Sequence, residues 1–263
     1  MKRNYIAIVA ILLSILTVSC EKNAVQEIDA PLTSGAQIKF FNFGVGSPSV
    51  NFYANEVKVS ATSSTTGVES ANGVAYGSVF PSTTYSLIQP GSYTFKGTTS
   101  ATALTNPNTN VASLTATVEN GKFYSLYTSG LFDAAAMTTD AFIVEDKLPA
   151  KDVTSPYVRF VNGIFNAASA MDLVAKSTIT GAETVIASAV AYKSASEFVK
   201  VPEGVYELFA RYPGSATNTI TRNGTSVVSF VNGKVYSISS RGDITVTGTT
   251  AANRPFLDNT ANR

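Results

Sequence analysis

One cysteine, one Arg-Gly-Asp tripeptide, a group of carboxylates and a scatter of tyrosines are the residues of this chain whose types could do chemistry. Cys20 is the only thiol, so no internal disulfide can form, and its place at the end of an apolar run makes it a candidate for acylation. Arg241-Gly242-Asp243 sets a cation and an anion either side of a glycine, the form a host integrin would read, and is the candidate interaction site. The plainer explanation is strand termination, since Gly242 matches Gly130 in an earlier writing of the same phrase. Asp133, Asp140, Glu145 and Asp146 offer oxygen ligands for Ca²⁺, but they lack the spacing of a calcium loop and Phe142-Ile143-Val144 interrupts them. A solvated linker is the reading taken. Tyr53, Tyr76, Tyr192 and Tyr212 are candidates for stacking on sugar rings, against core or cross-strand packing. Asn223-Gly224-Thr225 has the form of an N-glycosylation acceptor, yet its Asn-Gly is already explained as a hairpin turn.

What the chain lacks narrows the chemistry further. It has no His, which removes the residue most used as a general base near neutral pH and the commonest metal ligand. Ser-His-Asp, Cys-His and the usual zinc sites are therefore excluded, and no metal, cofactor or catalytic residue is expected. Carboxylate-pair glycosidase chemistry is the enzymatic route still open without His. With no Trp, no indole is available to anchor an interface. Net charge is +1, and losing Lys2 and Arg3 with a leader turns 19 basic residues into 17 against 18 acidic, a formal −1. That balance gives no electrostatic case for nucleic acid.

The elements that must position these residues begin with an address. "MKRNYIAIVAILLSILTVSC" sets Lys2 and Arg3 before an apolar run of roughly 14 residues, shorter than the about 20 that span a bilayer, so it reads as an export signal. It resembles a bacterial lipoprotein leader, in which an aliphatic residue and two small ones precede the Cys that is lipidated. Leu16-Thr17-Val18-Ser19-Cys20 carries the likeness, departing from it at Thr17. An ordinary secretory signal cut after Ser19 is the alternative. Residues 1–19 are thus expected to be the signal, and 20–35 the lipidated Cys and a tether.

Beyond the tether the sequence repeats itself. "IKFFN" at Ile38 matches "VRFVN" at Val158, "VAYGS" at Val74 matches "VAYKS" at Val190, and "VENGKFYSLYTSG" at Val118 matches "FVNGKVYSISSRG" at Phe230. The offset drifts from 120 to 112, as loop insertions would make it do. Charged residues are only 14% of the chain, and the segments are short, rich in Val, Tyr, Phe and Thr, and punctuated by Gly and Pro. Two tandem antiparallel β-sandwich domains of immunoglobulin or transthyretin type follow. Asn120-Gly121 predicts a two-residue type I′ hairpin that puts Leu114, Val118, Phe123 and Tyr127 on one face. In the second copy the same rule puts Phe230 and Val235 on one face and Val231, Tyr236 and Ile238 on the other. The Ala run within residues 131–146 could form a helical turn or two, while Phe142-Ile143-Val144 reads as a strand.

These blocks resemble the family known only as domain of unknown function 4397, common in secreted and envelope proteins of bacteria. The residues that carry the likeness are Ile38 to Asn42, Val74 to Ser78, Pro90-Gly91-Ser92-Tyr93 and Tyr124 to Gly130, then Val158 to Asn162, Val190-Ala191-Tyr192, Pro202 to Tyr206 and Tyr236 to Gly242. Asn51 departs from the family's Asp, which Asp172 keeps. The resemblance implies tandem β-sandwiches in the envelope and brings no catalytic residues with it.

The expectation from sequence is a first domain at 36–148, a linker at 149–156 and a second domain at 157–263. The chain is expected to be non-catalytic and to sit in the cell envelope as an outer-membrane lipoprotein, facing either the surface or the periplasm. A binding, adhesion or structural role is expected, with an unidentified protein or glycan as partner. The alternative is a glycan-binding accessory lipoprotein.

Overall fold

The computed structural model describes residues 34–60 and 72–263, so the leader, the tether and Cys20 lie outside the described residues. In the first half, one sheet is built from β1 (Ala36–Asn42), β4 (Ser78–Phe80), β5 (Ser86–Ile88), β8 (Phe123–Asp133) and β9 (Thr138–Glu145). The facing sheet has β2 (Asn51–Ala54), β3 (Val57–Lys58), β6 (Gly91–Thr98) and β7 (Asn110–Val118). The second half repeats this plan. One sheet takes β10 (Tyr157–Asn162), β13 (Ser194–Ala195), β14 (Val199–Lys200), β18 (Val235–Arg241) and β19 (Phe256–Ala261). The facing one takes β11 (Met171–Ser177), β12 (Glu183–Val190), β15 (Gly204–Arg211), β16 (Ile220–Arg222) and β17 (Val228–Phe230). The fold is all-β and of sandwich type, as the short β-branched and aromatic segments predict.

Alternating apolar residues close each sandwich. Ile38, Phe40, Phe52, Phe95 and Leu126 meet in the first, where the Phe40 and Phe52 rings stack at 5.0 Å; Phe160, Leu173, Leu208, Phe230 and Ile238 meet in the second. One pairing departs from the antiparallel expectation: β1 runs parallel to β8, with Phe40 opposite Leu126, and β10 parallel to β18, with Phe160 opposite Ile238. A parallel pair needs a long crossover, and the passage through the facing sheet supplies it.

The Asn-Gly turns are likewise not hairpins. β7 pairs with β6, whereas β8 pairs with β1 and β9, so Asn120-Gly121 carries the chain from one sheet to the other. Only Gly121 of the two has a positive φ, +76°, where a type I′ turn needs both. Glu119 and Lys122 do meet, through a 3.2 Å backbone bond and an exposed ion pair. Crossing the sandwich resets the faces: Val118, Tyr124 and Leu126 enter the core, and in the second copy Phe230, Tyr236 and Ile238 share it. Asn223-Gly224 is no hairpin either, because β16 and β17 both pair with β15 and a single 3-10 turn at Gly224–Ser226 joins them. The Ala run forms a tight turn, with Asp133 accepting from the amides of Ala135 and Ala136, and Phe142 to Val144 is strand as expected.

Residues 146–156 form no strand, and among the described residues no strand pairing crosses between the two halves. The halves nevertheless dock through the outer faces of the β1 and β10 sheets, within a compact unit of Ser34–Arg263. Phe41, Phe43, Tyr127, Phe142 and Val161 form the apolar part of this seam, with Phe41 and Tyr127 stacked at 4.2 Å. The seam has near-twofold symmetry. Tyr192 of the second half bonds Ser129 of the first at 2.9 Å, while Tyr76 of the first lies against Arg241 of the second at 4.9 Å; Ser129 and Arg241 are equivalent positions. Tyr127 and Ser239, also equivalent, bond to each other at 3.1 Å where the symmetry axis would pass. This is the self-complementary pattern of an isologous interface, realised within one chain.

Candidate ligand cleft

Most of the repeated phrase works for the fold. Asn42 donates to Val74 O at 2.8 Å and accepts from Thr128; Asn162 donates to Val190 O at 2.9 Å and accepts from Ser240. Both amides are fully buried, so each staples a loop to its sheet. Tyr93 and Tyr206 donate to the carbonyls four residues upstream, and Tyr124 and Tyr236 accept an amide from the arch that precedes them. The two halves share these bonds, which accounts for the shared words.

The carboxylates do not gather. Asp146, expected in a solvated linker, is 1% exposed and pairs with Arg159 inside the seam, where it also accepts from Ser125 at 2.8 Å and Tyr85 at 2.7 Å. Asp140 pairs with Lys193, Glu145 lies 3.5 Å from Lys122, and Asp133 caps its turn. Among the described residues, no three acidic, Cys or His groups converge on a point that would hold a metal. The tyrosines are each engaged: Tyr53 under Lys58, Tyr76 and Tyr192 in the seam, and Tyr212 through its hydroxyl to Ala168 N.

Arg241-Gly242-Asp243 is drawn into the same framework. Arg241 bonds Asp258 at 2.6 Å and lies over the rings of Phe43, Tyr76 and Phe256. Gly242 has φ +106°, and a Cβ there would stand 2.2 Å from Arg254 O, so the position needs glycine. Asp243 accepts from Thr245 and Asn166, and these bonds hold its carboxyl below the usual range. The tripeptide thus roots a loop and does not project from one.

That loop builds a cleft on the second sandwich. The first half closes its last two strands through residues 134–137, but the second inserts 242–255 between β18 and β19. The insertion folds over the gap between the edge strands β16 and β19 and leaves an open cleft of about 560 Å³. Thr219, Thr221, Asn223 and Ser226 line one wall, and Thr247 and Thr249 line the other. Ile244, Val246, Pro255 and Phe256 supply the apolar surface. Arg222 and Arg254 are its only charged lining residues. Their guanidinium carbons lie 5.4 and 5.1 Å from the Phe256 ring centre. Arg222 gives Nε to Ser226 O and Nη1 to Leu257 O, and burial pulls it below its ordinary pKa. Arg254 gives only Nη1, to Ala251 O. Neither makes an ion pair with a described residue.

A model of the "Domain of unknown function (DUF4397)" matches residues 36–174, more than half of the chain. The chain belongs to this family. The DUF4397 match takes in the whole first sandwich and runs into β11 of the second, so the cleft at 219–256 lies beyond it. No curated protein matches the chain. It is similar to a solved structure, "The Bacillus anthracis TIE protein", at 12% identity and a TM-score of 0.25, covering 80% of this chain. It spans about a third of that protein's length, 34%.

Sequence reasoning does not single out Arg222, Arg254 or Phe256. The available signal is the segment after Gly242, which has no counterpart after Gly130.

Proposed function

We propose that this chain is a non-catalytic, lipid-anchored protein of the bacterial cell envelope, whose folded body serves binding, adhesion or a structural role. Cys20 is the lipidated residue and the leader before it the export signal. Residues 36–148 and 157–263 are two DUF4397 domains joined by 149–156, and the partner is a protein or a glycan. The observation that carries the reading is the cleft, a concave, partly charged surface open to solvent and built by an insertion that the first half does without. The seam supports it, because two sandwiches locked by buried bonds present such a surface rigidly. A glycan-binding role is the second reading, favoured by the hydroxyls on both cleft walls.

Cys20→Ala is expected to shift the protein from the membrane pellet to the soluble fraction. A variant that still pellets like the wild type removes the anchor from the proposal. Proteinase treatment of intact cells then assigns the face: loss of the protein means display on the surface, and survival until the outer membrane is permeabilised means the periplasm.

A further inference from the structure

Charge separates four of the cavities among the described residues. The cavity of about 360 Å³ beside the seam is lined by Glu145, Lys147, Arg159, Lys193 and Glu197, but its cations are spent: Lys147 on Glu197, Lys193 on Asp140, Arg159 on Asp146. The two beside residues 99–106 carry no charged lining residue. The Arg222 and Arg254 cleft has two cations, no acid on its walls, and donors to spare. Arg254 Nε and Nη2 and Arg222 Nη2 have no acceptor among the described residues. The nearby carboxylate, Asp258, acts on both cleft arginines through its charge but accepts its hydrogen bonds from Arg241, at 2.6 and 3.4 Å.

We propose that this cleft binds a saccharide bearing a carboxylate, such as a uronic or sialic acid, with Arg254 and Arg222 taking the carboxylate. The inference rests on the binding role proposed above and names its ligand class. Guanidinium forks match a planar carboxylate, and partly desolvated ones bind it more strongly than exposed lysines would. The volume is in the range of small-ligand sites and far beyond one inorganic anion. Four threonines, Ser226 and Asn223 offer donors and acceptors for sugar hydroxyls, and Phe256, Ile244 and Val246 face the C–H side of a ring. The site has no equivalent in the first half, so one site for each chain is expected.

The test is calorimetric titration of the full chain, in detergent, with 3′-sialyllactose and trigalacturonate. Lactose serves as the matched neutral sugar and inorganic phosphate as the bare anion. Saturable binding of at least one acidic sugar at one site, with lactose and phosphate at least about tenfold weaker, is the expected result. Arg254→Ala should then cost about ten- to a hundredfold in affinity, the worth of charge-assisted hydrogen bonds. Arg254 hydrogen-bonds within its own loop, lies over the Phe256 ring and feels the charge of Asp258, and an unchanged unfolding midpoint shows that the fold survives its loss. Should the midpoint fall, Arg254→Lys with Thr221→Val reports on the same site without opening the loop. Equal binding of lactose, equal binding of phosphate, no binding of either acidic sugar, or binding untouched by these variants would each overturn the assignment. None of these outcomes depends on the lipid anchor, so the envelope reading stands or falls separately, on Cys20→Ala.

Discussion

Lys39→Met tests how the seam is held together. Lys39 is fully buried on β1, with its ammonium 3.3 Å from Pro81 O and 5.0 Å from the centre of the Tyr85 ring. Burial lowers its pKa from 10.5 to about 8, with Asp146 pulling the other way. Below pH 8 the folded and unfolded chains both carry this proton, and the fold bears the cost of a buried charge. Between about pH 8 and 10.5 the folded protein releases the proton while the unfolded chain keeps it. The unfolded state then binds more protons, so stability rises with pH across this window. The fall in pKa is worth about 3 kcal/mol, at about 1.4 kcal/mol for each tenfold change in proton affinity. Methionine keeps the stem and removes the charge, so its stability advantage over the wild type should be greatest at pH 7 and shrink by about 3 kcal/mol at pH 10.5. Denaturant unfolding of both proteins at five pH values between 7 and 10.5 measures this, and the titration of every other group cancels in the difference. Parallel stability curves would refute the reasoning, and so would an advantage that grows with pH.

Four further outcomes are expected. Asp146→Ala leaves Arg159 and Lys39 buried without their counter-charge and should cost about 3–5 kcal/mol in denaturant unfolding. Asn162→Ala strands Val190 O, Ile164 N and the Ser240 hydroxyl, and a loss of about 3 kcal/mol in the same assay is expected. Gly242→Ala drives a Cβ to 2.2 Å from Arg254 O and should destabilise by at least about 2 kcal/mol, read as a fall in melting temperature. Gly130→Ala, whose nearest contact is Asp140 at 3.4 Å, should cost only about 1–2 kcal/mol for its positive φ, so equal losses at the two glycines would contradict the close-approach argument.

The sequence by itself determined the class of fold. Short runs rich in Phe, Val and Ile, such as Ile38 to Phe41 and Val158 to Val161, favour strand locally, whatever they pack against. It also held the clue to the cleft, in the segment after Gly242 that the first copy lacks. Only the tertiary structure decided what the turns join. Asn120-Gly121 reverses the chain in either case, but β7 has β6 beside it and β8 has β1, so the reversal becomes a crossing between sheets. Which ladder a strand enters depends on partners distant in sequence, and a four-residue turn carries no record of them. The seam was hidden for a similar reason. Asp146 is expected in a solvated linker, and it is buried with Lys39, Ser125 and Arg159 because the outer face of the other sandwich, carrying complementary hydrogen bonds, docks on them. Arg222, Arg254 and Phe256 lie apart in the chain and become one cleft only because β16 and β19 are the facing edges of two sheets in one sandwich.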